Sequence, residues 1–302
     1  MPASSIHPRP PYDFDLSASI FSGGDPQIRD YSKGIFRQAL PVHGVPGLVE
    51  LKSSGTVDSP EIRLTFHSAH TKTQSVAPDV EQLVSSEFNF NDDLSPFYRD
   101  IAEDPIMAGI SSKLRGLKVP TTPTVFEALV DSIIEQQISL LVAHRMQNRL
   151  IRAVGRQEVF QGQVYFCYPT PEGIAAASEE TFRACGLSRR KAEYIRDIAR
   201  KIVDGTIDLG KFRLNPDTES ILAELMELRG IGRWTAELTA LRGLHRFDAF
   251  PADDLGLRRL IGHYYGNAAP ISSETARTIA DRWGSWKGLA AYYLVVASIR
   301  GI

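Results

Sequence analysis

Residues 228–259 have the sequence LRGIGRWTAELTALRGLHRFDAFPADDLGLRR, and this stretch decides how the chain folds. Gly230 and Gly232 flank one apolar residue, which predicts a tight backbone turn. The run from Trp234 to Leu244 is free of proline and rich in Ala, Leu and Glu, and it predicts a helix. The free N–H groups at such a helix start favour an anion, although a Gly-x-Gly turn more often only joins two helices.

A second helix start is predicted at the acidic pair Asp253-Asp254. Pro251 interrupts the chain just before this pair, and a mostly apolar helical face follows it. An Asp in this position is commonly an N-cap, which is one interpretation of the pair. The other interpretation is that one carboxylate faces whatever molecule the glycine turn binds. The separation of the two features, and the sequence between them, favours the second interpretation.

This combination resembles the helix-hairpin-helix (HhH-GPD) superfamily of DNA base-excision glycosylases, and within it the alkylation-repair branch typified by 3-methyladenine DNA glycosylase II. The family pattern Leu-x-Gly-Ile-Gly-x-Trp-Thr-Ala matches residues 228–236, and its Pro-x-Asp-Asp segment matches residues 251–254. The resemblance extends over roughly the last two-thirds of the chain, through residues 126–139, 184–192 and 283–297. It implies that Asp254, rather than Asp253, is the catalytic carboxylate.

The resemblance also implies roles for residues around Asp254. Trp234 stacks on the base that is flipped out of the duplex, and Gln136 and Tyr293 line the same substrate pocket. Gln137 fills the gap that the base leaves in the stack. The residues expected to bind the DNA backbone are Gly230, Gly232, Arg233 and Thr235.

The aromatic residues of the expected pocket depart from the family pattern. A second aromatic in the hairpin helix is replaced here by Leu238, and a Trp near the chain end is replaced by Val295. Tyr292, Tyr293 or Phe126 is therefore left to complete the pocket. Because the identity of this aromatic affects which bases fit, the sequence leaves the range of lesions open.

Trp234 occupies the position where strand-cutting members of the family carry a lysine. Such a lysine forms a Schiff base with the sugar, so the resemblance implies a monofunctional glycosylase that leaves an abasic site. An indole face attracts cations, which favours alkylated purines such as 3-methyladenine and 7-methylguanine. Two alternatives stay open: a glycosylase of the same fold for deaminated or oxidised bases, and a non-catalytic helix-hairpin-helix DNA-binding module. The carboxylate of Asp254 argues against the module, because it would repel phosphates.

The chain has 302 residues and a formal net charge of −2, so a basic DNA-binding surface must be local. Cys167 and Cys185 are its two cysteines, too few to hold an iron–sulfur cluster through four thiolates. No organic cofactor is implied, and the resemblance adds only a structural Na⁺ or K⁺ on the backbone carbonyls of Leu228 and Ile231. Since no stretch is long and apolar enough to span a membrane, we expect an intracellular protein, in the cytoplasm or nucleoid or in a eukaryotic nucleus. We also expect it to be a monomer. Its expected partner is double-stranded DNA that contains damaged bases.

The remaining pattern predicts an α+β protein. Alternating apolar residues from Val49 to Phe66 predict strands with one solvent-facing side. Residues 1–118 are therefore predicted to form an N-terminal antiparallel β-sheet domain with helices, which is compatible with the family's additional β-rich domain. Residues 119–302 are predicted to form an all-α helix-hairpin-helix glycosylase core, with the hairpin at 228–236 and a DNA cleft between helical layers. A Gly- and Pro-rich break is expected from Gly162 to Pro171.

Overall fold

A computed structural model of the chain describes residues 4–42, 44–68, 77–266, 269 and 271–302. Its N-terminal part contains a sheet with the strands β1 Ser4–Ile6, β2 Arg29–Ser32, β3 Ile35–Val42, β4 Val45–Ser53 and β5 Ile62–His67. The strands lie in the order β1-β5-β4-β3-β2, and every neighbouring pair is antiparallel. The predicted N-terminal antiparallel sheet is confirmed, and it includes β2 and β3, which lie outside the stretch where the sequence predicts strands.

Helices make up much of the remaining described chain. The N-terminal part contains α1 Phe14–Phe21, α2 Ala77–Glu87, α3 Ser95–Asp100 and α4 Pro105–Lys113. The C-terminal part contains α5 Val125–Glu135, α6 Leu140–Val154, α7 Pro171–Ala176, α8 Glu179–Ala184, α9 Arg189–Val203, α10 Thr218–Met226, α11 Arg233–Leu244, α12 Leu255–Tyr265, α13 Ser273–Ala280 and α14 Lys287–Arg300. Short 3₁₀ helices lie at Gly210–Arg213 and Asp281–Trp286. Within the described ranges, no helix combines the length and the apolar character that crossing a membrane requires.

One face of the sheet forms a hydrophobic core with α1 and α2. In β5, the buried residues Ile62, Leu64 and Phe66 alternate with more exposed neighbours. Successive side chains of a strand point to opposite faces, so this alternation buries one face of the sheet. Val80 and Val84 lie one turn apart on α2 and pack into the same core. The two-residue alternation in the strands and the four-residue spacing in α2 thus account for how this part of the chain buries its apolar side chains.

The hydrophobic core of the sheet and that of the helical part divide between Phe90 and Leu94. This division lies earlier in the chain than the predicted boundary after residue 118. The helices α3 and α4 account for the difference, because their apolar residues pack into the C-terminal helical core. Phe97 of α3, for example, contacts Tyr293 of α14 with the two ring centroids 5.0 Å apart. By packing, α3 and α4 belong to the helical core.

The helical core also contains a β-hairpin, which the sequence pattern did not predict. Its strands are β6 Gln157–Phe160 and β7 Gln163–Phe166. Gln161 and Gly162 join them with positive φ angles of 51° and 80°, as a two-residue hairpin turn requires. Strands of four residues are too short for a clear alternation of apolar residues, which explains why the sequence did not reveal them. The hairpin packs against β3 and β4 of the N-terminal sheet.

The helices α5 and α11 pack against each other through small residues. Ala128 and Ser132 of α5, and Thr239 and Gly243 of α11, are all buried. A Cβ atom at Gly243 would lie 2.9 Å from the Cβ of Ala128 and 3.1 Å from the Cα of Val125, so the backbones approach closely. Because the start of α5 contacts the end of α11, the helices are antiparallel. The end of α5 therefore meets the glycine turn at the start of α11.

The close contact at Gly243 predicts a strong effect of side-chain size. Replacing Gly243 with Leu should lower the free energy of unfolding by about 1–3 kcal/mol, because the added atoms must force α5 and α11 apart. Gly109 of α4 provides a matched control, since a Cβ there meets nothing within 4 Å. The Gly109→Ala variant should gain about 0.5–1 kcal/mol from helix propensity. Urea unfolding measures both, and a Gly243→Leu variant as stable as the wild type would contradict the packing described above.

Candidate active site

A cavity of about 1270 Å³ lies where the end of α5 meets the start of α11. Its walls come from the segment between α1 and β3, from α5, α6 and α11, from the start of α12 and from α14. Among the residues that the sequence predicts for the site, those that line it are Gln136, Gln137, Gly230, Gly232, Trp234, Thr235 and Asp254. The two predicted helix starts therefore face one cavity.

The glycine turn leaves the start of α11 accessible. Gly230 has a φ of 91°, and a Cβ there would lie 2.2 Å from the ring of Tyr194, so both conformation and space require glycine. Gly232 is the N-cap of α11, and among the described residues no side-chain hydrogen bond caps the first turn of this helix. At the similar turn before α9, by contrast, the hydroxyl of Ser188 accepts the N–H of Lys191. The start of α11 thus keeps N–H groups that can bind an external anion.

Asp254 connects the two helix starts. Its Oδ1 accepts the N–H of Leu257 at 2.8 Å and so caps α12, as the N-cap interpretation expects. Its Oδ2 accepts the indole Nε1–H of Trp234 at 3.1 Å. The neighbouring Asp253 is exposed. The structural and the chemical interpretations of the pair are therefore compatible, because the cap and the indole together hold the Asp254 carboxylate at the cavity wall.

Gln136 joins the end of α5 to the glycine turn. Its Nε2 donates to the carbonyl of Gly230 and to Oγ1 of Thr235, both at 3.0 Å. Gln136 does line the cavity, but its amide nitrogen is already engaged. Thr235 is 2% exposed and its hydroxyl faces Gln136. The packing of α5 against α11 therefore turns the Thr235 hydroxyl toward Gln136, and the expected contact of Thr235 with the DNA backbone stays a prediction.

The turn that carries Gln137 is held from the opposite side by Lys191 of α9. Nζ of Lys191 donates to the carbonyls of Ile134 at 2.8 Å and of Gln136 at 2.7 Å, so it caps the end of α5. Burial lowers the pKa of this amine. Gln137 follows in an exposed position with a φ of 57°, a backbone conformation that few residues with side chains adopt. The turn is thus fixed from two sides while Gln137 projects from it.

Arg233 was expected to contact DNA, but its guanidinium is engaged in ion pairs. Its nitrogens lie 2.7 Å from Oε1 of Glu219 and 2.8 Å from Oε1 of Glu237. Glu237 is fully buried and also pairs with Arg277 at 3.1 Å. Burial raises the pKa of Glu237, and the two arginines oppose this effect. Arg233 therefore ties α11 to α10, Glu237 ties α11 to α13 through Arg277, and a phosphate contact by Arg233 would require its two ion pairs to break.

Tyr293, which the resemblance places in the substrate pocket, does not line this cavity. Tyr293 is fully buried in the helical core, where its hydroxyl donates to the carbonyl of Leu117 at 2.7 Å. Tyr292, the preceding residue, lines the cavity. Consecutive residues of an α-helix point about 100° apart, and the rotation of α14 that brings Tyr292 to the cavity directs Tyr293 into the core. The alternative Phe126 is also a core residue.

A row of carboxylates on α5 lines the cavity, and the sequence analysis did not identify it. Glu127, Asp131 and Glu135 lie four residues apart and so share one helix face. Arg29 donates to Glu127 at 2.8 Å, and Arg242 donates to both oxygens of Glu135 at 2.8 Å. Burial and the neighbouring carboxylates raise the pKa of Asp131 to about 8. The sequence pattern that could have revealed this row is the four-residue spacing of acidic residues within an otherwise apolar helix.

The two glycines of the turn are predicted to differ in how strongly the same substitution affects stability. The Gly230→Ala variant should lose at least about 1–2 kcal/mol of stability, because its φ is left-handed and the new Cβ would overlap the Tyr194 ring. The Gly232→Ala variant has room for a Cβ and should unfold at nearly the wild-type temperature. Thermal unfolding of both variants tests this, and equal effects would contradict the geometry of the turn.

Comparison with known proteins places this geometry in a family. Residues 130–285 match the model for HhH-GPD superfamily base excision DNA repair proteins. A DNA-3-methyladenine glycosylase of Bacillus subtilis is 30% identical over 217 residues, which are 72% of this chain and 71% of that protein. DNA-3-methyladenine glycosylase 2 of Escherichia coli is 30% identical over 179 residues, which are 59% of this chain and 60% of that protein. The structure of a 3-methyladenine DNA-glycosylase from Archaeoglobus fulgidus is similar with a TM-score of 0.85 at 27% identity, covering 97% of both chains. The chain therefore belongs to the HhH-GPD superfamily of base excision DNA repair proteins.

Proposed function

We propose that this protein is a monofunctional DNA glycosylase that excises alkylated purines, of the 3-methyladenine and 7-methylguanine type, from duplex DNA. The observation that carries the proposal is the Asp254 carboxylate, which the Trp234 indole and the α12 backbone hold at the cavity wall. Relatives named DNA-3-methyladenine glycosylases support this substrate class.

Two features of the cavity rim suit duplex DNA. The N–H groups at the start of α11 favour a backbone phosphate, since the part of the chain that the structure describes offers them no side-chain cap and the helix dipole adds to their charge. Gln137 projects from the turn beside them, and the exposed apolar side chains next to it are Ile138, Leu140, Leu141 and Val142. A projecting side chain of this kind can occupy the space of a base that has left the stack, a step that costs a few kcal/mol. The flipped base would then enter the cavity beside Trp234.

The chemistry proposed for Asp254 is hydrolysis of the N-glycosidic bond. Positive charge develops on the sugar as the base leaves, and a carboxylate close to that sugar stabilises it. The same carboxylate can accept a proton from the attacking water. An alkylated purine with a positive charge is already a good leaving group, and the indole face of Trp234 attracts such a cation. Modest assistance from one carboxylate is therefore sufficient in this proposal.

A monovalent cation is also part of the proposal. The carbonyls of Leu228 and Ile231 lie in the glycine turn, and the Leu228 carbonyl accepts only the Ile231 N–H within the described part of the chain. Each carbonyl oxygen can accept two partners, so both residues retain acceptor capacity for Na⁺ or K⁺. A bound cation would supply positive charge next to the phosphate that the α11 N–H groups bind.

Replacing Asp254 with Asn tests the proposal directly. Asn is also a good N-cap, so α12 should remain capped while the charge is lost. Release of 3-methyladenine and 7-methylguanine from methylated duplex DNA should fall by about 100-fold or more, with DNA binding retained. The products are identified by chromatography.

The matched control for this substitution is Asp253→Asn. It removes the same charge at the adjacent exposed position, and release should stay close to the wild-type rate. Equal losses in both variants, or full activity of Asp254→Asn, would rule out the role proposed for Asp254.

The absence of a lysine at position 234 predicts no strand cleavage. An indole has no amine that could form a Schiff base with the sugar. Duplex DNA with a methylated purine should therefore stay intact after incubation with the pure protein and break only when alkali or heat is added. Denaturing gel electrophoresis before and after alkali provides the measurement and its control. Breaks that appear before alkali would show a lyase activity.

A further inference from the structure

One charged residue lies on the cavity-facing side of α11 and has no role in the function proposed above. Trp234, Leu238, Leu241 and Arg242 all line the cavity, at spacings that place them on one face of the helix. Tyr292 of α14 lines the same cavity. Arg242 therefore places hydrogen-bond donors beside the apolar residues that α11 contributes to the cavity wall.

Glu135 at the end of α5 holds Arg242 in place. Nη1 of Arg242 donates to both carboxylate oxygens of Glu135 at 2.8 Å. Glu135 also accepts from Nε2 of Gln147 at 3.3 Å. Burial opposes the charge of Arg242, but Glu135, with smaller contributions from Asp131 and Asp254, offsets this effect, so the pKa of the guanidinium is raised. The side chain is thus both charged and oriented through one of its terminal nitrogens.

The Nε and Nη2 groups of the Arg242 guanidinium make no hydrogen bond with the described residues. A guanidinium carries five N–H donors, and Glu135 accepts only those of Nη1. For Nε and Nη2 of Arg242, no acceptor lies within hydrogen-bond distance among the described residues, and 36% of the side chain remains exposed. Asp254 and Tyr292 line the same cavity as Arg242. The free donors therefore belong to a side chain that shares the cavity wall with the carboxylate proposed for catalysis.

We infer that Arg242, oriented by Glu135, determines specificity by donating hydrogen bonds to the carbonyl edge of the flipped base, so that the pocket favours 6-oxopurines over 6-aminopurines. This inference rests on the function proposed above. Guanine-type bases present O6 as an acceptor, whereas adenine-type bases present an amino donor at that position. A donor that faces another donor loses its hydrogen bond and stays desolvated. Glu135 neutralises the pair, so the cationic 7-methylguanine is not repelled.

Methylated duplex DNA tests this in one reaction, because it contains both 7-methylguanine and 3-methyladenine. The ratio of the two release rates is compared between the wild type and Arg242→Lys, which keeps the charge and a partner for Glu135 but lacks the planar fork. The Arg242→Met/Glu135→Gln double variant removes the fork without leaving a buried carboxylate unpaired. Release of 7-methylguanine should fall about 5- to 150-fold more than release of 3-methyladenine in the double variant, and in the same direction for Arg242→Lys.

The outcomes separate this inference from the proposed function. A merely structural role for Arg242 would lower both rates equally, and an unchanged ratio in both variants overturns the inference while leaving the function intact. Release of neither base by the wild type overturns the proposed function itself. An oligonucleotide with a single hypoxanthine, also a 6-oxopurine, provides a second readout. Its release should decrease with that of 7-methylguanine, and a loss that follows 3-methyladenine instead counts against the inference.

Discussion

The close antiparallel packing of α5 against α11 is the constraint on which the candidate site depends. Gly243 lets the two backbones approach at one end, since a Cβ there would lie 2.9 Å from that of Ala128. The opposite ends then meet, which places Gln136 within hydrogen-bond distance of the glycine turn. Three parts of the cavity wall depend on this contact: the turn with Gln137, the start of α11, and the Glu135–Arg242 pair. A longer distance between the helices would separate these elements.

Asp254 shows how a residue that caps a helix can also suit the chemical role proposed for it. Capping α12 requires a carboxylate or similar acceptor at the helix start, and the cap fixes its orientation. The Trp234 indole binds the second oxygen and links this helix start to α11. A group that is fixed before the substrate arrives needs no reorganisation during the reaction, which is the main advantage of a preorganised site. The substitution to Asn is informative for the same reason, because it preserves the cap.

Charge in this protein is organised locally rather than globally. The net charge is only −2, and several arginines near the site are held by carboxylates, as Arg233 is by Glu219 and Glu237. The N-terminal sheet contributes a similar ion pair, in which Arg29 of β2 donates to Glu127 of α5. This ion pair connects the sheet to α5, the helix that precedes the turn with Gln137. The sheet therefore supports the position of α5, although most of the cavity wall belongs to the helical part.

The sequence by itself determined the features that depend on local backbone chemistry. The glycine turn, the two helix starts, the strands from β4 to β5 and the position of Asp254 follow from glycine conformation, helix capping and the alternation of apolar residues. Tertiary structure alone decided which of Tyr292 and Tyr293 faces the cavity, that the Thr235 hydroxyl turns inward, and that Arg242 pairs with a carboxylate 107 residues earlier in the chain. These choices depend on how helices distant in sequence rotate and pack against each other. No short-range pattern encodes that rotation, because the face of a helix that becomes buried is the face that its neighbours in the fold cover.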